Sequence, residues 1–341
     1  MTSLKTLAWV SLLAGLAILT GLVAWRGFGE VAGIIARGGW AMLLLTLFFL
    51  PQCAAFTLAW RLLFPPGRAP GFARAFSAMA VGMHANALLP VADVGGEIIK
   101  ARIVMKGGAS GADAGASVVL DKTIQTITIV IWAIVGIVTL LALRAAGPTI
   151  YAGIAVASAL ALGVAGFIAA QHKGMFGGMA GLGARLTGSE TWVRLAGSAR
   201  ALDAAIKALY RRRGRLVGAC LLRLLGRLVM VGEIWLAAQL IGHPIGVLEA
   251  LALRSLALTI RSAAFLVPGG YGVQEGGYVA IGALIGIPVE IALVLSLATR
   301  IRDVAIGVPA LAVWQLTEGR GLRARPEKLT SGTSRATGGD S

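Results

Sequence analysis

Charged residues occur at helical spacing inside segments that are otherwise apolar. Glu97 and Lys100 are three residues apart, as are Arg300 and Asp303, so each pair shares one face of a helix. Ionisable side chains are costly inside a membrane and usually mark function. Two interpretations stay open. The charges clamp helices together as internal ion pairs, or they line a polar cavity that accepts a charged group, and both can hold at once.

The candidate cavity residues follow or flank two glycine-rich breaks in the apolar pattern. They are Asp93, Glu97, Lys100, Asp121, Lys122, Arg254, Arg261, Gln274, Glu275, Arg300 and Asp303. The candidate helix breaks are Pro90, Gly95, Gly96, Pro268, Gly269, Gly270 and Gly272. Helix N-termini at such breaks attract anions, and arginine and lysine hold phosphate or carboxylate. The carboxylates of Glu97 and Glu275 are expected to balance these charges or to carry protons.

The composition indicates an integral membrane protein. Hydrophobic residues make up 57% of the 341 residues and charged residues 13%, with a mean hydropathy of +0.83, whereas soluble domains have roughly 25% charged residues. The net charge of +16 favours the positive-inside rule and contact with anionic lipids over nucleic-acid binding.

Six segments are predicted to span the membrane, and two broken regions to enter and leave it on one side. The spans are about 4–25, 40–62, 123–143, 149–170, 216–241 and 290–317; the broken regions are 73–106 and 248–287. Lys5, the 61–74 and 171–215 loops and the tail after 318 hold 18 basic residues, and the 26–39, 144–148 and 242–249 loops hold three. The first set, and with it both termini, is therefore assigned to the cytoplasm. Whether the broken regions are re-entrant or fully spanning stays open.

The order span, broken pair, span occurs twice and predicts an all-α inverted repeat. Repeat one covers about 40–143 and repeat two about 216–317, within a single membrane domain at 1–322. A shift of 178 residues places Pro90 on Pro268, Glu97 on Glu275 and Lys122 on Arg300.

Two segments lie outside the predicted repeats. The 171–215 segment contains an amphipathic helix at about 192–213, expected on the anionic inner leaflet or as a plain basic loop. The tail at 323–341 is polar and basic and is expected to be disordered. Arg223 and Arg227, in the 216–241 span, are expected to extend to the inner surface, and Glu233 to face protein.

No motif in the sequence indicates an enzyme, a cofactor or a metal. GGYGVQEG has the glycine spacing of a dinucleotide loop but lacks a strand–helix–strand context. Cys53 and Cys220 form no metal-ligand spacing, and His84, His172 and His243 are scattered.

Two stretches carry a resemblance to a known family. VPGGYGVQEGGYVAIGALIGIP followed by SLATRIRD, and LLPVADVGGEIIKARIV followed by Asp121–Lys122, resemble the lysylphosphatidylglycerol synthase transmembrane-domain family of flippase-like proteins. PVADVGGE and GVQEGG are most similar to the members associated with hopanoid biosynthesis. The resemblance implies opposed re-entrant helices and lipid translocation. No C-terminal synthase domain is expected within 341 residues, so the synthase activity does not transfer.

The leading hypothesis is therefore a lipid translocase of the bacterial inner membrane. Its partners would be membrane lipids: an anionic or aminoacyl phospholipid, or a hopanoid. A second hypothesis is a non-transporting scaffold for lipid-biosynthesis enzymes, in which the buried charges only tie helices together. A third is an intramembrane transferase with Asp93 or Glu97 as its base.

Overall fold

The computed structural model describes residues 20–21, 28–89, 95–143, 148–178, 190–264 and 267–323. Within these ranges the chain is helical and has no strand. The helices are α1 (Phe28–Gly38), α2 (Phe49–Leu62), α3 (Phe72–Leu88), α4 (Gly95–Met105), α5 (Gly111–Ala142), α6 (Pro148–Lys173), α7 (Glu190–Tyr210), α8 (Arg213–Leu240), α9 (Val247–Ala263), α10 (Val273–Leu284) and α11 (Val289–Arg323), with 3₁₀ turns at Gly39–Phe48 and Pro268–Gly270. Pro90, Asp93, the predicted helix 4–25 (except residues 20–21) and the tail beyond 323 lie outside the described residues.

Two helices begin earlier than predicted. The 26–39 segment was expected to be a loop, but α1 occupies most of it and continues through a 3₁₀ turn into α2. Helix α5 begins at Gly111 instead of about 123, with the Ser110 Oγ accepting from the Asp113 N–H at 3.1 Å as an N-cap. The added turns of this helix include Asp113 and Asp121, and both are buried.

The outer surface of the long helices is apolar. Leu221, Leu225 and Leu228 form an exposed stripe along α8, with 61%, 53% and 55% of their surface accessible. Helix α5 carries a similar stripe that includes Ile134 and Val138. Charged side chains are buried inside while leucine, isoleucine and valine face outward, the reverse of a soluble protein.

By length and composition, two helical stretches of the described residues are suited to crossing a membrane. They are Ala32–Leu62 and Gly111–Ala142.

Each broken region folds back on itself as a helical hairpin. Arg74, near the start of α3, donates from Nη1 to the carbonyl oxygen of Gly107, just beyond the end of α4, at 3.1 Å. A Cβ added to Gly96 would lie 2.1 Å from the Gly82 carbonyl oxygen, so the two helices are in backbone contact. The return helices α4 and α10 have 11 and 12 residues, a rise of only about 16–18 Å. Over the described residues, each is shorter than a hydrocarbon core of about 30 Å, and the re-entrant form stays a prediction.

The break of the second hairpin contacts the end of α3 in the first hairpin. A Cβ on Gly269 would lie 2.6 Å from the carbonyl oxygen of Ala87, near the end of α3. The Tyr271 hydroxyl donates to the same oxygen at 3.5 Å. Gly269 and Gly270 have φ of +65° and +60°, so this approach depends on residues without a side chain.

Helix α7, part of the segment expected on the inner leaflet, packs on the protein through two apolar side chains. Ile206 and Leu209 are buried. The Asp203 carboxylate accepts from the Gly177 N–H at 2.7 Å, and the Tyr210 hydroxyl donates to Gln171 Oε1 at 2.8 Å. These contacts fix α7 against the end of α6.

Candidate functional site

A buried ion network joins the first hairpin to α5 and α8. The Lys100 Nζ lies 2.6 Å from Glu97 Oε2 and 2.7 Å from Asp121 Oδ2. Arg223 donates to the other oxygen of Asp121 through both Nε and Nη2. Asp121 is fully buried. Since an unpaired buried charge is strongly unfavourable, these groups need one another, and the network ties three helices together.

A second network holds the glycine-rich break of the second hairpin. Arg300 on α11 donates from Nε to Glu275 Oε1 at 3.0 Å, and from Nη1 and Nη2 to the carbonyl oxygens of Gly269 and Gly270 at 2.7 and 3.1 Å. Its guanidinium also lies over the Tyr271 ring, 4.4 Å from the centroid. One arginine therefore satisfies two carbonyls that no regular helix would pair, as buried irregular backbone requires.

The two halves share one ion pair at equivalent positions. Glu97 and Lys122 correspond to Glu275 and Arg300 under the 178-residue shift. The Lys122 Nζ lies 4.0 Å from Glu97 Oε1, and the Arg300 Nε lies 3.0 Å from Glu275 Oε1. In each half, an acid on the short return helix thus meets a base on the following long helix.

A third network joins α11 to α8. Arg302 donates from Nη1 to Glu233 Oε2, and from Nε and Nη2 to Asp303 Oδ1. Glu233 is fully buried, as predicted from its position in α8.

A cavity lies among these networks. It encloses about 160 Å³ that the centre of a water molecule can reach, roughly ten times the space that one water needs. Apolar side chains such as Phe49, Phe56 and Leu258 form part of its wall. The polar part is dominated by seven basic side chains: Lys100, Lys122, Arg223, Arg227, Arg254, Arg261 and Arg302.

The cavity has an excess of positive charge. Among the described residues, two carboxylates line it, those of Glu97 and Asp303, and two more stand behind the lining, those of Asp121 and Glu233. Among the described residues, basic groups therefore exceed acidic groups by three, seven against four. Such a site favours an anionic ligand.

The structure separates the sequence-predicted residues into two groups. Those that line the cavity are Glu97, Lys100, Lys122, Arg254, Arg261 and Asp303. Those that do not are Asp121, Gln274, Glu275 and Arg300. Asp121 and Glu275 are each buried beside a basic partner. The Gln274 amide donates to the hydroxyls of Ser296 and Thr299 at 3.1 and 2.9 Å and accepts from Arg261 at 3.1 Å. Asp93 lies outside the described residues.

The candidate break residues have different roles. Pro268 opens the 3₁₀ turn and Gly272 is the N-cap of α10 with φ +75°. Gly95 begins α4, and the Gly96 N–H donates to Asn86 Oδ1 at 2.8 Å. Pro90 is outside the described residues.

Several cavity residues were not among the predicted site residues. The expectation that Arg223 and Arg227 extend to the membrane surface is wrong, because only 2% and 5% of their surface is exposed. Arg302 and His84 also line the cavity, with His84 packed against Phe49 at 4.8 Å between ring centroids. A charge is costly inside an apolar helix and usually marks a functional site. This argument applied to both arginines of α8 and could have placed them in the cavity.

Residues 12–310 match the model of one protein family, described as the lysylphosphatidylglycerol synthase TM region. The chain belongs to this family. It is an all-α membrane protein, as the apolar outer surface and buried charges indicate. Membership fits a flippase-like role connected with membrane lipids. No curated protein and no solved structure matches the chain.

Proposed function

We propose that this protein moves a polar-headed lipid across the bacterial inner membrane, with the headgroup in the charged cavity and the tail in the bilayer. The observation that carries the proposal is the cavity itself. It holds seven basic side chains inside a helical shell whose outer surface is apolar. Charges in such a setting require a polar ligand, water or one another, and the described acids are too few to pair with all of them.

The arrangement of the hairpins supports movement of the ligand between sides. Gly269 and Tyr271 of the second break contact Ala87 of the first hairpin, and Ala87 also lines the cavity. Rocking of one half against the other about this contact would change which side of the membrane the cavity faces.

The test is leaflet-resolved lipid movement in proteoliposomes, with a variant that fills the cavity without removing a charge. Ser262 lines the cavity, and Ser262→Trp should obstruct it. Ser77 is exposed on α3, so Ser77→Trp adds the same bulk outside and serves as the control. We expect movement by the native protein and by Ser77→Trp, and a loss of at least tenfold in Ser262→Trp. Equal movement in all three, at matched folding and orientation, would contradict the proposal.

The choice of lipids follows from the charge and from the resemblance. Anionic phospholipids, aminoacyl phospholipids and hopanoids are compared in turn, the last because PVADVGGE and GVQEGG resemble the hopanoid-associated members. We propose translocation without lipid modification, so mass spectrometry should return the added lipid unchanged. A changed lipid species would support the transferase alternative.

A scaffold for lipid-biosynthesis enzymes is the second candidate. The observation in its favour is that Asp121, Glu275 and Arg300 serve as buried clamps between helices and do not line the cavity. A scaffold predicts that native protein moves no lipid while capturing lipid-modifying enzymes.

A further inference from the structure

On one wall of the cavity, two hydrogen-bond donors, Arg227 and Trp132, contact no carboxylate among the described residues. Arg227 on α8 donates from Nε and Nη2 to the Thr128 hydroxyl at 3.3 and 3.2 Å, and from Nη2 to the Gln125 carbonyl at 3.1 Å. These acceptors are neutral. A fully buried guanidinium in such surroundings is unfavourable unless an anion joins it.

Two further groups share this wall. Trp132 on α5 is 5% exposed and lines the cavity, and its indole N–H has no acceptor in the described part of the chain. Arg254 on α9 lines the same cavity and is close enough to repel Arg227, as is Arg223. Indole nitrogen and guanidinium can donate but not accept. The missing component is therefore an acceptor with negative charge.

We propose that Arg227, Arg254 and Trp132 form a subsite for the phosphate of a lipid headgroup, and that the cavity thereby selects lipids of net negative charge over aminoacylated ones. The inference deepens the proposed function and rests on it for the lipid character of the ligand. Arginine suits phosphate through its planar array of donors.

The selectivity follows from the surplus charge. A phosphatidylglycerol headgroup carries one negative charge, which offsets part of the excess of three. A lysyl group on that headgroup adds two ammonium groups, which the basic lining would repel. In a site of low dielectric, this repulsion outweighs the hydrogen bonds that the ammonium groups can offer.

Binding to the purified full-length chain in detergent tests the subsite without requiring transport. The probes are dihexanoyl forms of phosphatidylglycerol, phosphatidylcholine and lysyl-phosphatidylglycerol, together with inorganic phosphate. We expect phosphatidylglycerol to bind at least tenfold more tightly than the other two lipids. Arg227→Gln and Arg254→Gln should each weaken its binding about tenfold or more, and Trp132→Phe by a smaller factor.

Arg68→Gln is the matched control, because the Arg68 side chain is 70% exposed and pairs with Asp113 outside the cavity. It should leave binding unchanged. Arg254, which is half-buried, provides a second arginine variant if Arg227→Gln fails to fold. Equal binding of the three lipids, or unchanged binding in both arginine variants, would overturn the subsite. Phosphate that binds as tightly as phosphatidylglycerol, with the same sensitivity to Arg227→Gln, would overturn the lipid assignment.

The binding and transport experiments distinguish failure of the phosphate subsite from failure of the proposed translocation. If phosphatidylglycerol binds as expected but no lipid moves in proteoliposomes, the proposed translocation fails and the subsite stands. If lipid moves but its binding is unchanged in Arg227→Gln and Arg254→Gln, the subsite fails and translocation stands.

Discussion

Arg300 and Glu275 form the buried counterpart of a more exposed pair in the other half of the molecule. Their Nε and Oε1 atoms are 3.0 Å apart, and Glu275 is fully buried. The equivalent Lys122 is 35% exposed at its side chain and 4.0 Å from Glu97. The same ion pair is therefore a clamp on the glycine-rich break in one half and part of the cavity lining in the other.

This difference predicts unequal losses of stability. Arg300→Gln leaves the buried Glu275 carboxylate and two backbone carbonyls without their partner. It should lower the free energy of unfolding by about 3–5 kcal/mol. Lys122→Gln should cost less than about 1 kcal/mol. Reversible unfolding by SDS in mixed micelles measures both. Adding Glu275→Gln to Arg300→Gln should recover part of the loss, and equal effects of the two single variants would refute the clamp.

The two arginines of α8 should behave in opposite ways. Arg223 is paired with Asp121, so Arg223→Gln should destabilise the protein by about 3–5 kcal/mol. Arg227 contacts neutral oxygens and lies near other cations, so Arg227→Gln should leave the ligand-free stability unchanged or raise it. The same unfolding measurement compares them. A large loss in Arg227→Gln would show that its charge is structural.

The contact between α3 and α4 should reject any side chain at Gly96. Because a Cβ there would meet the Gly82 carbonyl at 2.1 Å, Gly96→Ala should separate the helices and cost about 3 kcal/mol or more. A Cβ added to Gly276 on α10 would meet no atom within 4 Å. Gly276→Ala is therefore the control and should be neutral or slightly stabilising, as alanine favours helix. Thermal unfolding in detergent distinguishes the two variants.

Labelling of single cysteines tests the predicted orientation. In a Cys53→Ala/Cys220→Ser background, Arg68→Cys lies in a loop assigned to the cytoplasm and Val247→Cys in a segment assigned to the outside. Their side chains are exposed. An impermeant maleimide should label Val247→Cys in intact spheroplasts, and Arg68→Cys only after the membrane is opened. The reverse pattern would invert the assigned topology.

The sequence predicted the helices better than it predicted which of their faces line the cavity. Hydropathy and glycine-rich breaks located both hairpins, and the 178-residue shift identified residues that form equivalent ion pairs. The lining depends on helix rotation and packing, which decide that Asp121 points away from the cavity while its neighbour Lys122 lines it. Arg227 was misplaced because the sequence does not show which way its long side chain extends from the middle of α8. Only the neighbouring α5 shows that it is buried.

The basic side chains that line the cavity are fixed on the helices, which decides how much charge crosses the membrane with a bound anion. The basic side chains stay with the protein, so the charge carried across by each bound headgroup is its own. An inside-negative membrane potential performs electrical work of about 2.3 kcal/mol per elementary charge per 100 mV. For a singly charged anionic lipid, this potential by itself drives net outward movement and opposes return. A gradient that the cell already maintains would therefore set the direction of the exchange without nucleotide hydrolysis.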